Sequence, residues 1–259
     1  MFSLSLWGCA TAIPSPLEPQ RHGTLGAANY GMLVGTPPLQ PVQGTFEFLR
    51  DNERRYALPR FGAAMVRAAA RVAREIPATP ALVVGDFSSA RGGQTSPHFS
   101  HRNGLDVDLL FYVTTLDGAP VRTREFVHFQ NDGLGYSPVQ RRWLRLDVRR
   151  QWALLRALLE DPEARVQWVF CNHHLEHLLL DWAIDHEEPE ELVLRAAQVL
   201  LEPRPGGAHD DHFHVRTYCS DDEVAAGCVR TGPLRPWIHE QSAPLLSDAE
   251  LVAQLANES

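Results

Sequence analysis

The chain has 259 residues, 44% of them apolar and 22% charged, and a formal net charge of −8. Such a length supports a sizeable core and is common for one domain, while the acidic balance argues against a nucleic-acid binder, which carries a basic stripe. No apolar run approaches the roughly 20 residues needed to span a bilayer.

The opening stretch, MFSLSLWGCATA, holds a short apolar run ending at Cys9. Leu6–Cys9 partly resembles a lipoprotein processing box, which would make Cys9 a lipid anchor, yet the basic region of a signal peptide is absent. An ordinary disordered start is the other reading. Residues 14–44 are rich in Pro, Gly and Gln and read as an irregular arm. From Arg60, Phe61, Met65, Ala68, Ala69, Val72 and Ile76 recur at helical spacing, and Pro77 and Pro80 stop that helix. Residues 81–85 read as a short buried strand, followed by a Gly-rich loop over 88–99. That loop delivers SHRNGLDVDLLFY, residues 100–112, whose strand-like half carries Asp106 and Asp108 two residues apart. A strand buried on both faces does not tolerate these carboxylates uncompensated, since each would cost several kcal/mol or more. Both need water or a positive partner.

Residues 114–141 read as a long polar loop. Asp147 caps a helix with the apolar face Val148, Trp152, Leu155 and Leu159. Residues 166–171 form a strand, Asn172 caps a helix over 173–185, and another helix runs from about 190 to 201 before Pro203. Residues 212–218 alternate as a strand does. In the tail, Ser247 opens a helix with Glu250 completing a capping box. Cys219 and Cys228 bracket a short polar loop, where a disulfide would be worth about 3 kcal/mol in an oxidising compartment; two free thiols are the alternative. Cys171 reads as a small buried hydrophobe. Helices and short strands without βαβ alternation predict an α+β single domain, a small antiparallel sheet with flanking helices.

Most of the twelve histidines are grouped. His212 and His214 share one strand face with Arg216, leaving Phe213 and Val215 for the core. His101 and Asp108 supply complementary ligands, with Gly104 allowing a tight turn between them. Asp106 shares the Asp108 face and can orient a ligand imidazole. A carboxylate and two imidazoles are ordinary zinc ligands, and a fourth position left to water makes a catalytic site. A dication and its histidines would then neutralise both aspartates. A rival is His173-His174-Leu175-Glu176-His177, which matches the H-x-x-E-H helix motif of inverted zinc proteases. It occupies the first turns after a cap, where polar side chains are expected anyway.

Ser100-His101-x-x-Gly104-x-Asp106-x-Asp108, followed by His212-x-His214, resembles the zinc metallopeptidases that unite lysostaphin-type enzymes, D-alanyl-D-alanine peptidases and hedgehog-like domains. More narrowly it resembles the penicillin-insensitive murein endopeptidases, through Gly85-Asp86-Phe87-Ser88, Arg91-Gly92-Gly93, and His209, His212 and His214 before a cysteine loop. The resemblance covers residues 26–228. It implies that His101, Asp108 and His214 bind Zn2+, with His98, His209 and His212 close by in catalysis. It also implies a periplasmic or cell-envelope location. The 114–141 loop and the histidine-rich helix depart from the family pattern, which leaves substrate preference open.

The domain reading is an N-terminal arm over 1–25, a zinc metallopeptidase domain over 26–230 and a C-terminal extension over 231–259. The expected activity is zinc-dependent hydrolysis of D-amino-acid-containing peptide cross-links in peptidoglycan. Arg91 and Arg216 are candidates for gripping a peptide carboxylate. The alternative is a non-catalytic zinc-containing module that binds peptidoglycan or a protein; His212 and His209, which a pure binder does not need, favour the enzyme.

Overall fold

A computed structural model describes residues 23–51, 53–94, 98–203 and 207–238. Cys9 and the Ser247 cap lie outside these residues. The N-terminal arm is more regular than its composition suggests. Strands β1 (Gly23–Leu25) and β2 (Met32–Val34) pair antiparallel, and β3 (Phe46–Phe48) follows. Helix α1 (Pro59–Glu75) starts with proline at its first position, where no intrahelical N–H is needed, and buries Phe61, Met65, Ala68, Ala69 and Val72. Strand β4 (Leu82–Val84) leads to β5 (Asp106–Leu110).

The stretch expected to be a polar loop instead forms most of a second sheet. Strands β6 (Val113–Thr114), β7 (Pro120–Val121), β8 (Leu134–Ser137) and β9 (Arg142–Leu146) join in the order β7-β6-β9-β8. These strands are two to five residues long, and the buried positions of β8 are Gly135 and Ser137, so no apolar alternation marks it. Helix α2 (Val148–Glu160) is capped by Asp147, whose side chain accepts from the Arg150 N–H. After β10 (Val166–Phe170), helix α3 (His173–Asp185) is capped by Asn172, and α4 (Glu190–Val199) runs into the short β11 (Leu200–Leu201). Strand β12 (His212–Thr217) and helix α5 (Asp221–Ala225) complete the described elements.

The main sheet has six strands in the order β11-β10-β12-β5-β4-β3. It is mixed rather than purely antiparallel, and larger than expected, because β11 and β3 add as parallel edges. Those edges come from two- and three-residue runs that carry no periodicity of their own. The inward face, with Val107, Leu109, Phe213 and Val215, joins one apolar core with Phe61 and Met65 of α1 and Trp152 and Leu155 of α2. Cys219 and Cys228 form a disulfide, which Arg60 anchors to α1 through Glu223, and Cys171 is a buried free thiol. No helix among the described residues is long and apolar enough to cross a membrane.

Candidate metal centre

Pairing of β5 with β12 builds the centre. Their antiparallel register sets His214 opposite Asp108, Arg216 opposite Asp106 and His212 opposite Leu110. Because side chains alternate along a strand, the polar members of these pairs share one face. The loop before β5 brings His101 over that face. Its backbone is left-handed (φ 59°), a conformation uncommon outside glycine. The His101 N–H holds the turn by donating to Asp106 Oδ2 at 3.1 Å. Gly104 (φ 80°) completes it; a Cβ there would meet the Leu58 nitrogen at 3.0 Å. The tight turn expected at Gly104 is present.

Asp106 fastens the two segments together. Its Oδ1 accepts from His214 Nε2 at 2.9 Å and from Arg216 Nε at 2.7 Å. Burial alone would raise its pKa, but Arg216 and His214 hold it well below the usual carboxylate range. With Nε2 donating to Asp106, His214 turns the lone pair of Nδ1 inward, 3.4 Å from Asp108 Oδ1. His101 Nε2 and His212 Nε2 lie 3.2 and 3.3 Å from the same oxygen. Three imidazoles therefore surround one buried carboxylate.

These contacts are not a satisfied hydrogen-bond network. Neither ring nitrogen of fully buried His101, nor either oxygen of Asp108, has a hydrogen-bond partner among the described residues. Buried polar groups are nearly always paired, so His101 Nε2 and the two Asp108 oxygens, orphaned beside one another, point to a shared partner. Two imidazoles and a carboxylate suit a borderline divalent cation such as Zn2+. Burial takes the His214 pKa down to about 4, which keeps the imidazole neutral, as a ligand must be. The donor set fits a metal ion.

Other residues line the same hollow. His98 joins His101 and Asp108 in one group with ligand atoms within 4.8 Å of one another, and His209, His212 and His214 form a second. His98 Nε2 is also 2.9 Å from Asp86 Oδ2, which Arg54 Nη1 approaches at 2.7 Å. His212 Nδ1 is 2.5 Å from Asp211 Oδ1. Burial opposes charge on His212, but Asp108 and Asp211 outweigh it and push its pKa up to about 10. His209 has a left-handed backbone (φ 47°), and burial and His212 lower its pKa. The Phe126 ring, from the chain between β7 and β8, stands edge-on to His212 at 5.2 Å. A third, more exposed group joins His128 to Asp210 and Asp211.

Of the residues singled out from sequence, His98, His101, Asp106, Asp108, His209, His212, His214 and Arg216 come together here. Arg216 spends its Nε on Asp106. Arg91 sits in the loop beside β2, its carbonyl accepting from the Leu33 N–H. His173 and His177 stand outside the three groups. Sequence reasoning missed Asp86, Asp211 and Phe126. Asp211 was visible as the neighbour of His212, and Asp86 lay inside a quoted motif without a role.

The penicillin-insensitive murein endopeptidase family model matches residues 24–236. A penicillin-insensitive murein endopeptidase of Haemophilus influenzae is 26% identical over 230 residues, 85% of this chain and 71% of the relative. One of Escherichia coli O1:K1 / APEC is 26% identical over 210 residues, 78% of this chain and 68% of the relative. The match spans both β5 and β12, and so both halves of the centre. On that extent of likeness, together with the histidine and aspartate pattern itself, the chain belongs to the penicillin-insensitive murein endopeptidase family.

Proposed function

We propose that this chain is a zinc-dependent endopeptidase that hydrolyses D-amino-acid-containing peptide cross-links of peptidoglycan. The observation that carries the reading is the set of orphaned buried donor atoms on His101 and Asp108, facing His214 across the strand pair. Family membership, with relatives named as murein endopeptidases, supports the substrate class. His101, Asp108 and His214 are the proposed ligands, and residues 26–230 the hydrolytic domain. A divalent ion held there supplies Lewis-acid polarisation of an amide carbonyl and acidifies water towards a pKa of about 7.

The remaining roles belong to the chain's own side chains. Asp211 accepts from His212 Nδ1–H, which leaves Nε2 as the atom that holds or passes a proton on the reacting side. In its protonated state His212 also stabilises negative charge developing on the carbonyl oxygen. His209, kept neutral by burial, and His98, oriented by Asp86, border the same space. Arg91 and Arg216 are proposed contacts for a peptide carboxylate. A periplasmic or cell-envelope location follows from such a substrate, and the Cys219–Cys228 disulfide agrees with an oxidising compartment.

The test is mass spectrometry of cross-linked muropeptide dimers incubated with the purified protein, with and without chelator, and with His212→Ala. Monomers should accumulate with the wild type, not with chelator, and at a rate reduced at least about 100-fold by the substitution. Dimers left intact by a zinc-loaded wild type, or cut equally by His212→Ala, would overturn the proposal.

A further inference from the structure

The H-x-x-E-H motif at the start of α3 makes a second constellation, separate from the donors on β5 and β12. His173 and His177 are exposed and lie one helical turn apart. Their Nε2 atoms face each other at 3.0 Å, with ring centroids 4.3 Å apart. Glu176, its side chain only 16% exposed, sets Oε2 3.1 Å from His173 Nδ1. An ionised carboxylate accepts hydrogen bonds and cannot donate them. Nδ1 of His173 therefore carries the hydrogen, and in the neutral ring the lone pair sits on Nε2, aimed at His177. A carboxylate behind an imidazole in this way is the arrangement that orients metal-ligating histidines.

The spacing also suits a shared ion. Two nitrogens each about 2.0–2.1 Å from one cation and 3.0 Å from each other subtend roughly 91–97° at it. That angle lies within the range of four- and six-coordinate late first-row ions. Both rings face solvent, so an ion enters without opening the core and water fills its remaining positions. We propose that His173 and His177 chelate a second divalent cation of the Zn2+, Ni2+ or Cu2+ class, with Glu176 as the positioning residue.

The surroundings connect this site to the hydrolytic centre without merging the two. The Asn172 N–H donates to the His209 carbonyl at 2.9 Å, and the His173 N–H to Glu202 Oε2 at 3.3 Å. The chelating turn is thus tied to the segment that carries His209. Binding here rests on α3 alone and does not depend on the proposed hydrolysis.

Equilibrium dialysis against Zn2+ alone, and separately against Ni2+ alone, with bound metal counted by mass spectrometry, tests the inference. The wild type should hold one equivalent more than His173→Ala or His177→Ala. Glu176→Gln should weaken that equivalent about 10–100-fold. His174→Ala, which removes an exposed imidazole of the same turn that lies outside the pair, should leave it in place. His177→Gln should give the same loss if the alanine variant does not fold. Equal stoichiometry in the wild type and both histidine variants would reduce the contact to an N–H···N hydrogen bond and overturn the proposal. Loss of the equivalent in His174→Ala would overturn it as well.

Discussion

Asp106→Asn tests whether the hidden carboxylate of β5 holds the centre together. Asp106 is fully buried and accepts three hydrogen bonds, from His214 Nε2, Arg216 Nε and the His101 N–H. Asparagine preserves the shape but has one oxygen. Turned so that this oxygen keeps His214 and Arg216, its NH2 faces the His101 N–H, donor against donor. A buried donor left unpaired costs about 1–3 kcal/mol, and a bond to a neutral acceptor is worth about 1 kcal/mol less than one to a charged acceptor. With two such bonds weakened, the sum is about 3–5 kcal/mol. That is a large share of the roughly 5–15 kcal/mol by which domains are stable, yet it leaves the protein folded. At about 2–4 °C per kcal/mol for a chain near this size, the Tm of the chelator-treated protein should fall by about 10 °C in calorimetry. Zn2+ affinity, measured by competition with a chelating dye, should fall about 10–100-fold because a neutral amide oxygen orients His214 and raises its basicity less than the carboxylate does. A variant with wild-type Tm and wild-type affinity would show that Asp106 neither fastens the strands nor orients the ligand.

Two further perturbations probe the scaffold. Glu223 pairs with Arg60 at 2.8 Å through both oxygens; burial alone would raise its pKa, but Arg60 holds it below the ordinary 4.5. A depressed folded pKa means stability that is complete above the unfolded value and lost as pH falls through the folded one, so between about pH 5 and pH 3 the wild-type Tm should drop more steeply than that of Glu223→Gln; parallel curves would refute the linkage. Gly92 and Gly93 are both left-handed, but a Cβ on Gly92 would stand 1.9 Å from the Arg102 carbonyl oxygen, while one on Gly93 meets nothing within 4 Å. Gly93→Ala should therefore cost only the backbone strain of about 1–2 kcal/mol, and Gly92→Ala clearly more in denaturant titrations.

The parts of this fold legible in the sequence are those written in short-range pattern. The α1 and α2 stripes, the Asp147 and Asn172 caps and the alternation of β12 each depend on residues within a turn or two of each other. The question posed by Asp106 and Asp108 could also be framed from sequence, because two carboxylates in a strand are improbable without compensation. Its answer differs between the two. Asp106 is neutralised by Arg216 and accepts a hydrogen bond from His214, whereas Asp108 is ringed by imidazoles that make no proper hydrogen bond to it. That distinction rests on the His214–Asp108 register, which joins segments about a hundred residues apart and leaves no local trace. The second sheet was hidden for a related reason. Strands as short as Val113–Thr114 and Pro120–Val121 are held by partners from β9 and β6, and two residues each are too few to carry a pattern of their own. Phe126, which this segment brings against His212, was hidden with it.

The charge distribution of the centre makes a last prediction, about protons. Without a cation, burial opposes charge on both His101 and His212, yet Asp108 raises the pKa of each, and Asp211 helps to bring His212 up to about 10. At neutral pH a centre without a cation therefore holds a proton on His212, and Asp108 favours one on His101 against burial. A divalent ion needs the His101 lone pair and competes for the Asp108 charge, so its binding must expel protons. The sign follows directly: a site that releases protons on binding gains affinity as pH rises, by a factor of about ten per pH unit for each proton released. Calorimetric titration of the chelator-stripped protein with Zn2+ should show a heat that changes linearly with the ionisation enthalpy of the buffer. Its slope should correspond to a net release of protons at pH 7. Repeating the titration at pH 6 and pH 8 should give the tighter binding at pH 8. A heat independent of buffer, with equal affinities at the two pH values, would mean that the imidazoles around Asp108 are already neutral and that the carboxylate waits for the ion alone.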